Sequence, residues 1–312
     1  MTLTRILGGT AGAGLLAGAA ATAYAAAEAR AYTLREVTVA MLPPGAADVR
    51  VLHLSDLHLT PGQRRKAGFV RELAGLRPDL VVDTGDNLAH RDAVPAVLEA
   101  LGGLLDVPGV FVLGSNDYYS PTVRNPLRYL LPDDGQRNTH TPQLPWRALR
   151  RAFSDRGWLD LTNGFGAVTV AGTRFSFAGV DDPHLGYDAL AAVSGPADAS
   201  ADVRIGVAHA PYLRVLDQFA ADGYDAILAG HTHGGQVCLP FLGPRRGGLA
   251  LTTNCDLDPE RAKGLHRHPA GSPPGDAGSA WLHVSAGLGT SPYARIRVAC
   301  RPETTLLTLT PR

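Results

Sequence analysis

The chain has 312 residues, of which 45% are hydrophobic and 19% charged, and its 29 basic and 29 acidic side chains cancel. That composition is globular and excludes a disordered or fibrous chain. The balanced charge leaves no electrostatic footprint for nucleic acid, so no such partner is expected.

In chain order, the first feature is an uncharged run from Ile6 to Ala27, rich in Ala and Gly. As a helix rising about 1.5 Å per residue it would match the ~30 Å hydrocarbon core of a bilayer. Ala23-Tyr24-Ala25 also offers an A-x-A cleavage pattern, so residues 1–30 read as a membrane anchor or a signal segment. The charges on either side do not fix its orientation. Residues 31–48 read as a linker with an extended lead-in strand, and residues 49–312 as one domain. Val49–Leu54 is a short apolar strand ending at Ser55-Asp56, followed by a helix from Arg64 to Leu76. Asp79–Thr84 is a strand stopping at Gly85-Asp86-Asn87, followed by a helix from Ala93 to Leu105. Val107–Leu113 is a third strand, closed by Gly114-Ser115-Asn116-Asp117. Alternation of strand and helix predicts a mostly parallel sheet. Asn125–Trp146 reads as a long surface excursion, and Trp146–Arg156 as a helix. Residues 166–171 and 173–178 read as antiparallel strands. Arg204–Ala208 and Ala226–Ala229 are buried strands, closely followed by His209 and His231. Pro259–Ala280 reads as a mobile loop, and Trp281–Ala286 and Glu303–Leu309 as closing strands.

The chemistry-bearing residues gather at the strand ends, the edge where open α/β sheets bind ligands. They are Asp56-Leu57-His58, Gly85-Asp86-Asn87, Asn116 or its neighbour, His209, and Gly230-His231-Thr232-His233-Gly234. Carboxylates, imidazoles and an amide together suit Mn, Fe or Zn better than Ca or Mg. Asp56 and His58 are two apart, as are His231 and His233, and in an extended segment such residues project to one side. Asp181-Asp182-Pro183-His184 reads as a turn beside the cleft. His266 and His268 read as solvated, and Tyr118 and Tyr119 as stacking or packing rings. Cys238, Cys255 and Cys300 include no C-x-x-C pair. A cysteine zinc site is therefore not expected; one bridge is open, and all three read as structural.

The ordered blocks Asp56-x-His58, Gly85-Asp86-Asn87, a lone His209 and Gly230-His231-x-His233 resemble the calcineurin-like metallophosphoesterase family. Leu54–His58, Gly230–Val237 and Gly287-Leu288-Gly289-Thr290-Ser291 are similar to its membrane-associated or exported bacterial branch, which includes phosphodiesterase-like members and lipid-sugar pyrophosphate hydrolases. The resemblance implies two β-sheets packed as a sandwich and flanked by helices. It implies two metal ions, one held by Asp56, His58 and His233, the other by His209 and His231, with Asp86 bridging. It implies hydrolysis of a phosphodiester or pyrophosphate bond by a metal-bridging hydroxide, with a lipid or envelope-linked substrate in view of the N-terminal run.

Gly114-Ser115-Asn116-Asp117 departs from the family's G-N-H-[DE] block. Either Ser115 stands at the ligand position, or the register shifts by one and Asn116 is the ligand with Asp117 where the family has His. An amide oxygen is the better ligand. Asp117 would then protonate the leaving group only if burial or a nearby carboxylate raised its pKa. Without an acid there, the alternative is a metal-containing protein that binds phosphate ligands with weak or no turnover.

Overall fold

The computed structural model describes residues 16, 18–123, 131, 135–243 and 248–312. A helix over residues 18–28 (α1) leads into β1 (Thr33–Leu42), β2 (Val49–Leu54), α2 (Arg64–Glu72), β3 (Leu80–Asp83), α3 (Val94–Leu101), β4 (Gly109–Phe111) and the single turn α4 (Ser115–Tyr118). There follow α5 (Trp146–Asp155), β5 (Leu159–Asp160), β6 (Gly164–Val170), β7 (Thr173–Gly179), α6 (Leu190–Val193), β8 (Val203–Val207), α7 (Leu213–Ala221) and β9 (Ala226–Ala229). β10 (Cys238–Leu239), β11 (Leu249–Ala250), β12 (Gly264–His268), β13 (Ala280–Val284) and β14 (Glu303–Pro311) complete the order.

Two six-stranded sheets carry the fold, ordered β1-β14-β2-β3-β4-β5 and β12-β13-β9-β8-β7-β6. In the first, β2, β3, β4 and β5 run parallel; in the second, β7, β8, β9 and β13 do. Their side chains alternate between two apolar environments rather than between core and water. Val49, Val51, Leu80, Val82 and Val110 meet Val203, Ile205, Val207 and Leu228 between the sheets. Leu52, Leu54, Val81 and Phe111 turn outward to the layer containing Val70, Val97, Leu101 and Phe153. Burial on both faces explains the unbroken apolar runs.

The segment over 31–48 contains β1, whose register with β14 runs from Thr33↔Glu303 to Leu42↔Pro311, so it is a sheet strand. The Gly/Pro/His-rich stretch 259–280 contains β12, antiparallel to β13, where a loop was expected. The polar pattern of Gly264–His268 fits an edge strand, which needs apolar partners less than a central one does. His268 is buried there, its Nε2 2.8 Å from Asp217 Oδ1, instead of being solvated.

The expected membrane segment falls partly on residues 1–15 and 17, outside the described residues, as does much of the excursion at 124–130 and 132–134. Among the described residues no helix is long and apolar enough to cross a membrane. The end of α1 is docked on the domain: Arg297 N–H donates to Ala25 O at 3.0 Å, and Cys300 N–H to the buried Glu28 carboxylate at 2.7 Å.

Candidate metal centre

The parallel strands of both sheets deliver their C-terminal loops to one place. From the first sheet come Asp56 and His58 after β2, Asp86 after β3 and Asn116 after β4. From the second come His209 after β8 and His231 and His233 after β9. The pairs Asp56/His58 and His231/His233 do not converge by strand pleating. Asp56, His58, Asp86, His231 and His233 have φ of 51°, 41°, 59°, 70° and 50°. Such left-handed backbone is uncommon for non-glycine residues, and its strain must be held by surrounding contacts. Glycine makes the tight assembly possible at two points. A Cβ on Gly114 would lie 2.3 Å from Asp86 Oδ1, and one on Gly289 2.6 Å from Asp56 O.

One ligand atom from each of Asp56, His58, Asp86 and His233 lies within 4.8 Å of the others. His58 Nε2 is 3.2 Å from His233 Nε2, and His233 Nε2 is 3.5 Å from Asp56 Oδ1. Asp86 faces two ways: Oδ2 lies 3.4 Å from His58 Nε2 and Oδ1 lies 3.4 Å from His209 Nε2. His231 lies beyond His209, ring centroids 5.2 Å apart. Asn116 reaches Asp86 twice, through its backbone N–H at 2.7 Å and its amide Nδ2 at 2.8 Å. Ser115 Oγ, by contrast, meets the Asn116 amide at 3.4 Å.

Of the four ring nitrogens facing away from the cluster three are anchored, while His58 Nδ1 is buried with no hydrogen-bond partner. His209 Nδ1 lies 2.7 Å from Thr84 O, His231 Nε2 3.1 Å from Asn254 O, and His233 Nδ1 3.1 Å from Gly289 O. In a neutral ring a carbonyl partner fixes the proton there and leaves the opposite nitrogen with its lone pair, the arrangement a metal-binding imidazole requires. Burial pushes His58 down to about 4, His231 to about 4 and His233 to about 3, so these rings are neutral at pH 7. Burial also opposes a charge on His209, but adjacent Asp86 outweighs it and holds that ring well above its usual value. Asp86 responds in kind: burial raises it, yet His209, His58 and the Asn116 hydrogen bond keep it well below the carboxylate range.

Two inward-facing atoms, Asp56 Oδ1 and His209 Nε2, are buried with no hydrogen-bond partner. Buried polar atoms of folded proteins are nearly always satisfied, so orphans converging from both sheets fit a cation. The donor set of carboxylate oxygens, imidazoles and an amide fits first-row transition ions.

Asp117 is held by backbone amides. It is fully buried, and its two oxygens accept four backbone N–H bonds, from Asp86 at 2.8 Å, Asn87 at 2.8 Å, Leu88 at 3.0 Å and Gly114 at 3.0 Å. Burial and Asp86 push the carboxyl up, to about 8, while the amides of Gly114 and Leu88 pull the other way. Its oxygens are committed to the backbone of two loops, and none is turned to a substrate. Asp117 thus clamps the Asp86 and Asn116 loops together.

Three residues belong to the site without a motif that marks them. Arg297 is fully buried and its guanidinium donates to the carbonyls of His233, Ala286, Gly287 and Gly289 at 2.7–3.1 Å. Lys66 of α2 is buried and donates to Leu57 O at 2.6 Å, behind His58; burial drops its amine to about 7. Asn254 supplies the carbonyl behind His231. His184, read as part of a turn, is in a turn, its N–H bound to Asp182 Oδ1 at 2.9 Å. Its ring also walls the cleft, 4.4 Å from that of His231. Tyr118 is buried and donates to Asp181 at 2.7 Å, and Tyr119 meets the Tyr187 hydroxyl.

Residues 49–235 match the family model described as calcineurin-like phosphoesterase. The chain is 29% identical over 216 residues to a bovine (Bos taurus) "Transmembrane protein with metallophosphoesterase domain", covering 68% of this chain and 46% of that protein. It is 28% identical over 272 residues to the "Uncharacterized metallophosphoesterase YkoQ" of Bacillus subtilis (strain 168), covering 84% of each. Among solved structures, a 5'-nucleotidase precursor from Thermus thermophilus aligns at 12% identity and TM-score 0.44, over 84% of this chain and 55% of that one. With more than half of its length matched by the family model, the chain, which spans about half the length of the bovine relative, belongs to the calcineurin-like phosphoesterases.

Proposed function

We propose that the chain hydrolyses phosphodiester or pyrophosphate bonds at a dinuclear centre. Asp56, His58 and His233 would hold one ion, His209, His231 and Asn116 the other, and Asp86 both. The observation that carries the reading is the two-faced placement of Asp86, one oxygen toward His58 and the other toward His209. Two bound divalent ions, Mn, Fe or Zn, supply positive charge against the phosphate oxygens and acidity to a water. The chain's own contribution is orientation. Carbonyls of Thr84, Asn254 and Gly289 hold three of the four imidazoles in one tautomer, and Arg297 braces the His233 and Gly289 carbonyls. The close contacts of Asn116 with Asp86 favour it over Ser115 as the ligand from its loop. With Asp117 committed to four amides, no proton donor stands where the family has histidine. That favours substrates with good leaving groups, such as pyrophosphates and aryl diesters.

The apolar run 6–27 and the printed name of the bovine relative support a membrane-facing role for residues 1–30, with residues 49–312 as the hydrolase domain joined through 31–48. We take the substrate to be a lipid or envelope-linked phosphate on that basis.

The test uses Mn-loaded protein with bis(p-nitrophenyl) phosphate and p-nitrophenyl phosphate side by side, with elemental analysis of the same sample. The diester is expected to turn over faster, with two ions per chain. Asp86→Asn should lose at least about 100-fold in kcat/KM, roughly 2.7 kcal/mol of transition-state stabilisation. One ion per chain, or a monoester preference, would sink the proposal.

A further inference from the structure

We propose that Cys238 and Cys300 form a thiol pair that closes to an intramolecular disulfide beside the metal centre. Both thiols are buried, 2% and 1% exposed. They share one small cluster with Ala250, Ala262 and Ala286. The backbone brings them together through a bridge between Val237 and Val298. In it Cys238 N–H donates to Val298 O at 2.9 Å and Val298 N–H to Gln236 O at 3.0 Å. The two sulfurs converge on one acceptor, Gly234 O, at 3.2 and 3.3 Å. Cys255 packs elsewhere, against the cluster containing Leu257 and Phe219, which sets the identity of the pair.

The site matters because of what it touches. Cys300 Sγ lies 3.3 Å from His233 O, and Cys300 follows Arg297 by three residues. Closing the bond removes both S–H donors from the His233–Gly234 carbonyls. It also ties β10, which follows the histidine loop, to the segment carrying the guanidinium that braces that loop. The oxidant is a low-molecular-weight disulfide. One protein thiolate attacks its sulfur and expels a small thiolate, giving a mixed disulfide. The second protein thiolate then attacks the protein sulfur of that mixed disulfide, expelling the other small thiolate. The two protons of the cysteines pass to the released thiolates. Because both thiols are buried, exchange takes place while the chain is open, during folding or local unfolding. None of this depends on the hydrolytic reading.

The experiment refolds the full reduced chain from guanidinium in a buffer of glutathione and glutathione disulfide. The product is then unfolded in N-ethylmaleimide, weighed intact and digested. One maleimide adduct is expected, against three for a control kept in dithiothreitol, with the cross-linked peptides containing Cys238 and Cys300. Cys255→Ser should oxidise equally well and give no adduct. The oxidised chain should unfold at a higher temperature, and dithiothreitol should erase the difference. Three adducts after oxidation, retained glutathione, a link to Cys255, or loss of the link in Cys255→Ser would each overturn the proposal.

Discussion

Asp117 shows how much a single carboxylate can do without touching substrate. Its four amide donors come from the two loops that present Asp86 and Asn116, so it sets the distance between them. Asp117→Asn replaces one acceptor oxygen by a donor that faces backbone N–H groups. A buried network broken on one side costs about 3 kcal/mol. Urea denaturation of the metal-free chain should show that loss. A proton donor would behave in the opposite way, leaving stability unchanged while the rate fell, so an unaltered midpoint would refute the clamp. Arg297 acts at the same scale. Arg297→Met keeps much of the volume and leaves four carbonyls and the His233 loop without their shared donor. Losing such an outer partner costs about 10–100-fold in metal affinity, which calorimetric titration with Mn would read; unchanged affinity would remove Arg297 from the site. Neither residue's role was legible in the sequence. Asp117 acts on backbone amides brought close only by folding, and Arg297 sits in an aperiodic stretch with no signature. The seven ligand candidates, by contrast, lay at the ends of apolar runs and carried their residue types openly.

At the level of elements, β2 and β13 meet through two buried histidines. His53 Nδ1 and His283 Nδ1 are 2.8 Å apart, and His53 Nε2 is 3.1 Å from Thr84 Oγ1. One ring donates and the other accepts, so the two cannot both be charged. Burial, and then His283, push His53 well below its usual value, and burial, and then His266, bring His283 down to about 3. For a histidine whose folded pKa lies below the unfolded value of about 6.5, the unfolded chain binds the proton first. Its contribution is therefore complete above pH 6.5 and is lost as pH falls toward the folded value. Each histidine adds about 1.4 kcal/mol per pH unit to that slope. The double variant His53→Leu, His283→Leu should flatten the stability profile between pH 6 and 4 by up to about 2.7 kcal/mol per unit. Denaturation at a series of pH values checks this, and parallel profiles would exclude the pair. The strands themselves were legible where burial on both faces gave short apolar runs, as in β2, β3 and β9. β12 was not, because at an edge His266, Arg267 and His268 find partners that apolar patterning does not anticipate. β1 was read only as a lead-in because its pairing with β14 joins residues some 270 apart in sequence.

Across the whole molecule the candidate ligands divide by sheet. Asp56, His58, Asp86 and Asn116 come from the first, and His209, His231 and His233 from the second. Below them the sheets are joined by apolar packing; at this rim they are joined by charge and by orphaned polar atoms that packing leaves unsatisfied. A cation bound there connects the two sheets and binds the folded chain far better than the unfolded one. Linkage then stabilises the fold by about 2.7 kcal/mol at a free metal concentration 100 times Kd. Thermal unfolding should accordingly rise with added Mn and return to its starting midpoint with a chelator. Variants that remove a ligand from either sheet, Asp56→Asn or His231→Ala, should show a smaller rise than wild type. The comparison of the two separates a centre that spans both sheets from one held by a single sheet. In the second case His231→Ala and His233→Ala would both keep the full metal-dependent shift, because the first sheet alone would then be sufficient to hold the ion.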